Sequence, residues 1–213
     1  VGKSGSGKST LMHVMSGLDR VSSGTITIDN QDISLLKNKA LDRFRAEKIG
    51  FIFQAFFVQA NETCAQNVSL PLEISRVSRR TRKKRVQVAL EQVDLLDKIN
   101  SKAKDLSGGQ KQRLAIARAV ARKPEIFLFD DSFSALDYKT DRALRKALGE
   151  QTKDATKIIV AQRIGTIRHA DRILVLEHGK IVGAGTHEEL MKNCPAYQDI
   201  AGSQLSKEEL LNG

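Results

Sequence analysis

Apolar positions along this chain recur in two periods. Leu11, Val14, Met15 and Leu18 follow at helical spacing and predict a helix over 8–16, with Gly17 suited to its C-terminal turn. Residues 24–28 (GTITI) alternate as a half-buried strand does, and Asp29 and Asn30 turn the chain. Residues 49–53 (IGFIF) read as a further strand. After a loop, residues 79–93 read as a helix with Val86, Leu90 and Val93 on one face. Ser107 suits the cap of a helix running to about residue 122, which Lys123 and Pro124 end. Residues 126–129 (IFLF) are apolar on both faces, as a central parallel strand requires. A helix near 141–148 follows, then buried strands at 158–161 and 173–176, and Gly179 and Lys180 turn the chain into residues 181–182. Thr186 with Glu189 forms a capping box that opens another helix. Strands alternating with helices predict an α/β fold with a mostly parallel sheet.

Composition narrows the class. The 213 residues carry 40% hydrophobic and 28% charged side chains, an ordinary globular balance that excludes collagen-like and disordered chains. No apolar stretch approaches the about 18 residues that span a bilayer, and the opening residues do not read as a signal peptide. The two cysteines, Cys64 and Cys194, lie far apart and point to a reducing compartment rather than a metal site. The net charge of +10 favours anionic partners. Much of the excess falls between Arg76 and Arg85, a stretch read first as a solvated helix face.

Chemistry enters at the N-terminus. Residues 2–9 read GKSGSGKS, the GxxxxGK[ST] phosphate-binding loop. Gly2, Gly5 and Gly7 let the backbone of Lys3, Ser4 and Ser6 turn N–H groups inward around a polyphosphate. The helix that follows points its positive end at the same charge. Lys8 reaches the β- and γ-phosphates, the Ser9 hydroxyl ligates Mg²⁺, and Thr10 supports the α-phosphate side. Such a loop follows a buried strand, yet only Val1 precedes it, so the expectation is a truncated chain whose N-terminal strands are missing. At the end of the apolar run 126–129, Asp130 supplies the second metal-site carboxylate of phosphate-loop ATPases.

A third element decides the family. Residues 106–110 (LSGGQ) open a helix with Ser107, Gly108, Gly109 and Gln110 at its positive end. An LSGGQ between a phosphate loop and an apolar strand ending in aspartate resembles the nucleotide-binding domain of ATP-binding cassette (ABC) transporters, over essentially the whole chain. Gln54 resembles the family's Q-loop glutamine, and residues 134–137 (SALD) its D-loop. The resemblance implies a single ABC domain over 1–213, with a phosphate-loop core at 1–54 and 123–213 and a helical subdomain at about 55–122. It implies ATP and Mg²⁺ as cofactors, with Ser9, Gln54 and Asp130 around the metal. It implies a head-to-tail pair of such domains in which Ser107 and Gly109 bind the γ-phosphate of the opposite ATP. A transmembrane transporter subunit on the cytoplasmic face of the cell membrane would be the partner, with residues 56–72 facing it or packed inside the helical subdomain.

Two departures fall on one reaction step. The family's catalytic glutamate is Asp131 here, one methylene shorter, and its switch histidine is Gln162, which hydrogen-bonds but carries no charge. Misplacing a general base costs about 10²–10⁴ in rate. The pattern resembles the degenerate half of heterodimeric exporters, which favours a hetero-partner and a slow own site. Tolerated variants in an active homodimer are the other reading. The first half, with residues 17–20, 49–54 and 67–72, is closer to lipoprotein-release and macrolide-export subunits. A regulatory ATP-binding module without turnover and a nucleic-acid-associated ABC ATPase are the alternatives. Aromatic residues make up only 5% and none lies in the basic stretch, so no specific nucleic acid is expected.

Overall fold

A computed structural model describes residues 1–53, 57–130 and 154–209, in two compact units, Val1–Leu35 with Ile159–Gly213 and Leu36–Ile158. Gln54, Asp131, the segment 134–137 and the helix expected near 141–148 lie outside the described residues. Among the described residues no helix is long and apolar enough to cross a membrane.

The first unit opens on a loop and helix α1 (Lys8–Met15). Strands β1 (Thr27–Ile28) and β2 (Gln31–Asp32) form a tight antiparallel hairpin. Its turn residues Asp29 and Asn30 sit at φ 50° and 59°, the left-handed region that short polar side chains tolerate. The alternation over 24–28 thus yields only two strand residues. Later in the unit, β6 (Ile173–Glu177) and β7 (Lys180–Gly185) pair antiparallel around the predicted Gly179 turn. On its other side β6 receives Val1. The Val1 amino group donates to the Leu174 carbonyl at 2.8 Å, and the Leu176 N–H donates to the Val1 carbonyl at 2.8 Å. That is the bonding pattern of a parallel ladder, made by the residue just before the loop. The helices α6 (Ile164–Ile167), α7 (His187–Asn193) and α8 (Pro195–Glu209) follow. They enclose a core of Ile164, Ile167, Ile173, Val175, Leu190 and Tyr197.

In the second unit, α2 (Asn38–Lys48) leads into β3 (Ile49–Ile52), which pairs in parallel with β4 (Ile126–Asp130). β5 (Thr156–Val160) is the third strand, and β4 lies in the centre. The central position explains why 127–129 are buried on both faces. Gly50 lies where a Cβ would come within 2.6 Å of Pro124, so the close approach of β3 to the turn before β4 requires glycine. The helices α3 (Cys64–Ile74), α4 (Arg79–Gln92) and α5 (Gly108–Val120) pack on one another. α3 begins with a Thr63–Gln66 capping box and contains Pro71, whose missing N–H obscures its helical pattern in the sequence. α4 buries Val86, Ala89 and Leu90. Most of its basic side chains face solvent, and Arg82 pairs with Glu73 at 3.4 Å.

Candidate functional site

The loop before α1 is built around one ammonium group. Lys8 Nζ donates to the carbonyl oxygens of Gly2 at 2.9 Å and Lys3 at 2.8 Å, and to Ser6 Oγ at 3.3 Å. The chain therefore curls about Lys8 into a concavity. Ser6, only 5% exposed, is the pin: its N–H donates to the Lys3 carbonyl at 3.2 Å and its own carbonyl accepts from Gly179 N–H at 3.1 Å. Two glycines in the loop have no substitute at this geometry. A Cβ on Gly2 would lie 2.3 Å from the Leu176 carbonyl oxygen and 2.5 Å from Ser6 Oγ. Gly7 holds the N-cap of α1 at φ 93° and offers no side-chain acceptor to the first helical turn. The N–H groups of that turn, with the helix dipole behind them and Lys8 beside them, suit a polyphosphate. Ser9 and Thr10 are exposed at this end of α1, as are Lys3, Ser4 and Gly5 around the rim. The donor set fits a polyphosphate, and the exposed Ser9 hydroxyl is a hard oxygen of the kind Mg²⁺ takes.

Gln162, the expected switch residue, lies in the first unit, two residues after the end of β5, and is exposed. Its carbonyl accepts from Gln204 Nε2 at 2.5 Å. His187 Nδ1 lies 2.8 Å from the buried Tyr197 hydroxyl, which gives that histidine a packing role.

The second unit carries the other two expected elements. Ser107 is the N-cap of α5. Its Oγ accepts from Gln110 N–H at 3.3 Å, while Gln110 Oε1 accepts from Ser107 N–H at 2.9 Å. The first and last polar residues of LSGGQ thus close a capping box, an S-x-x-Q signal carried by the sequence itself. Gly108 has open space where a Cβ would stand, so nothing in the fold of the unit demands glycine there. Gly109 lies in the first turn of α5. Asp130 ends the central strand β4, half-buried. A further polar anchor was not foreseen. Buried Asn67 accepts from Gln59 N–H at 2.7 Å and donates to the carbonyls of Gln59, Glu62 and Thr63, which fixes the chain before α3.

The sequence profile of the family described as ABC transporter matches residues 1–134. The methionine import ATP-binding protein MetN of Carboxydothermus hydrogenoformans is 40% identical over 98% of this chain, which spans 63% of that protein. The ABC transporter ATP-binding protein YvrO of Bacillus subtilis is 41% identical over 85% of this chain and 80% of its own length. A dimeric, post-hydrolysis structure of the ATP-binding cassette MJ0796 with ADP and Pi matches at a TM-score of 0.81 and 36% identity, covering 87% of this chain and 83% of that one. An ATP-bound bacterial Atm1-family exporter matches at 0.83 and 30% identity over 95% of this chain and 36% of its own.

Proposed function

The chain belongs to the ABC transporter family as an ATP-binding domain, and from that premise we propose that it hydrolyses ATP slowly at its own site while completing a second site on a different cassette. The observation that carries the reading is Lys8 held over the loop carbonyls at the positive end of α1. Gly2, Gly5 and Gly7 admit the triphosphate, Lys8 neutralises its β/γ end, and Thr10 supports the α-phosphate side. Ser9, Asp130 and Gln54 would hold Mg²⁺, which when bound would neutralise negative charge on the triphosphate.

Hydrolysis forms a bond from water oxygen to the γ-phosphorus and breaks the bond to the β–γ bridging oxygen, leaving ADP and phosphate. Asp131 is the base that orients this water and Gln162 is the γ-phosphate contact. A carboxylate one methylene short and an uncharged amide each lower the rate. Ser107 and Gly109, at the start of α5, contact the γ-phosphate bound by the partner cassette. The dimeric cassette with ADP and Pi and the ATP-bound exporter support the pairing. The capping box supports the role of α5, because it fixes the helix end that would face the phosphate.

A transmembrane subunit is the second partner, at the cytoplasmic face of the membrane. Phe57 (65%) and Ile74 (72%) are exposed apolar side chains of the second unit that such a partner would cover. The name of the methionine import relative supports a transport role but fixes no cargo for this chain.

The test restores the missing groups. Asp131→Glu combined with Gln162→His, assayed with a competent partner cassette, raises turnover by about 10²-fold or more. Unchanged turnover with intact ATP binding makes the chain a regulatory ATP-binding module instead.

A further inference from the structure

Gln204 lies on the inner face of α8. Tyr197, Ala201 and Gln204 follow at i, i+4 and i+7, so they share one stripe of the helix. Tyr197 and Ala201 are fully buried in the core of the first unit. The half-buried Gln204 carboxamide is held in one place if both of its ends find protein partners. Both do, and both partners belong to the segment after β5. Gln204 Nε2 donates to the Gln162 carbonyl at 2.5 Å, and Gln204 Oε1 accepts from the Ile164 N–H at 2.7 Å.

The pairing is polar in one sense only. A carbonyl can only accept and an N–H can only donate, so a single amide orientation satisfies both. One side chain therefore grips the backbone on either side of Arg163. It also supplies what the local sequence lacks: Arg163, the N-cap of α6, makes no side-chain cap, and Gln204 Oε1 takes the first N–H of that helix from a distance of 40 residues.

We propose that Gln204 is a positioning residue for ATP hydrolysis, holding the backbone of Gln162 so that its exposed side chain is presented to the γ-phosphate. The proposal rests on the reading of Gln162 as the switch residue. It makes α8, far from the phosphate loop in sequence, a part of the hydrolytic machinery. Gln204 touches no nucleotide and acts through one loop.

Three variants test it in the full chain: Gln162→Ala, Gln204→Ala and the double variant. They are measured by single-turnover phosphate release from MgATP and by amide hydrogen exchange at Ile164. Gln204→Ala lowers the rate about ten- to hundredfold, because a small displacement of a contacting group has that effect, while ATP affinity stays within about twofold. Adding it to Gln162→Ala lowers the rate no further. The Ile164 amide exchanges roughly tenfold faster. Gln204→Glu keeps the acceptor for Ile164 but sets a carboxylate against the Gln162 carbonyl, so it slows hydrolysis without exposing that amide.

A rate loss that is equal in both backgrounds, or no loss in Gln204→Ala while Gln162→Ala is slow, overturns the positioning role and leaves the switch reading intact. Wild-type turnover in Gln162→Ala overturns the switch reading and the positioning role with it. Wild-type turnover in Gln204→Glu overturns the donation to Gln162 as the link.

Discussion

The Lys8 ammonium lies 2.9 Å from the carbonyl oxygen of Gly2, so the residue that closes the phosphate loop is bonded to the one that opens it. The five intervening residues are thereby held in one curve, and the charge intended for phosphate also organises the loop.

Removing that charge separates binding from folding. Ligand that binds only the folded state raises its melting temperature, by an amount set by about 2.7 kcal/mol when ATP stands at a hundred times its Kd. MgATP is expected to raise the melting temperature of the parent chain, and Lys8→Ala is expected to abolish the shift. Differential scanning calorimetry with and without nucleotide checks both.

Gly2→Ala acts on the same loop by crowding. A Cβ there meets a backbone oxygen at 2.3 Å, which cannot swing aside. The expected cost is about 1–3 kcal/mol, as for overpacked sites, with ATP binding weakened as the loop shifts. Urea unfolding gives the first quantity and nucleotide titration the second.

Ser107→Ala breaks the capping box of α5. Loss of a serine N-cap costs about 1 kcal/mol, since the Gln110 N–H loses its acceptor. Ser107→Gly is expected to cost only a few tenths of that order. Ser107→Thr, which keeps the hydroxyl, is expected to stay near the parent chain, and chemical denaturation of it beside Ser107→Ala tests whether the hydroxyl carries the effect.

Tyr197 gives a pH signature. Burial, and then the nearby charge of Glu188, push its phenol above the usual tyrosine range. A raised folded pKa means that the folded state holds this proton more tightly than the unfolded one. The contribution is complete below about pH 10 and is lost as pH rises through the folded value. With two tyrosines and no tryptophan in the chain, Tyr138→Phe leaves Tyr197 as the sole phenol for absorbance titration. It should ionise late when folded and at the normal pH in urea, and Tyr197→Phe should remove that part of the alkaline loss of stability.

Cys64 is wholly buried, and burial raises its thiol pKa, which keeps it protonated near neutrality. Cys194 is 5% exposed. Both are expected to react with a thiol reagent only as fast as the chain opens, and unfolding in urea should release two fast-reacting thiols. Rapid labelling of either in the native chain would contradict this packing.

Elements with strong local signals were legible before any coordinates. GKSGSGKS names its own loop because glycine positions, a lysine and a hydroxyl are contiguous, and their geometry needs no distant partner. The Ser107 cap, the helices after it and at 79–93, the apolar strand 126–129 and the Thr186 box follow equally from residues within one or two turns. Helices α2, α3 and α8 were not legible. Asn38–Lys48 shows too few apolar positions, Pro71 interrupts α3, and α8 buries Tyr197 and Ala201 on a stripe too small and polar to stand out. What only the tertiary structure decided is long-range. Val1 lies in ladder bonding with β6, and residues 173–176, expected as a buried strand, form a hairpin strand that leaves Leu174 exposed. Asn67 anchors a loop, and Gln204 reaches back to Gln162 and Ile164. A sequence displays the chemistry of adjacent residues because bond geometry fixes their spacing. It does not display a hydrogen bond across 42 residues, because any of its polar side chains could make that bond until packing chooses one.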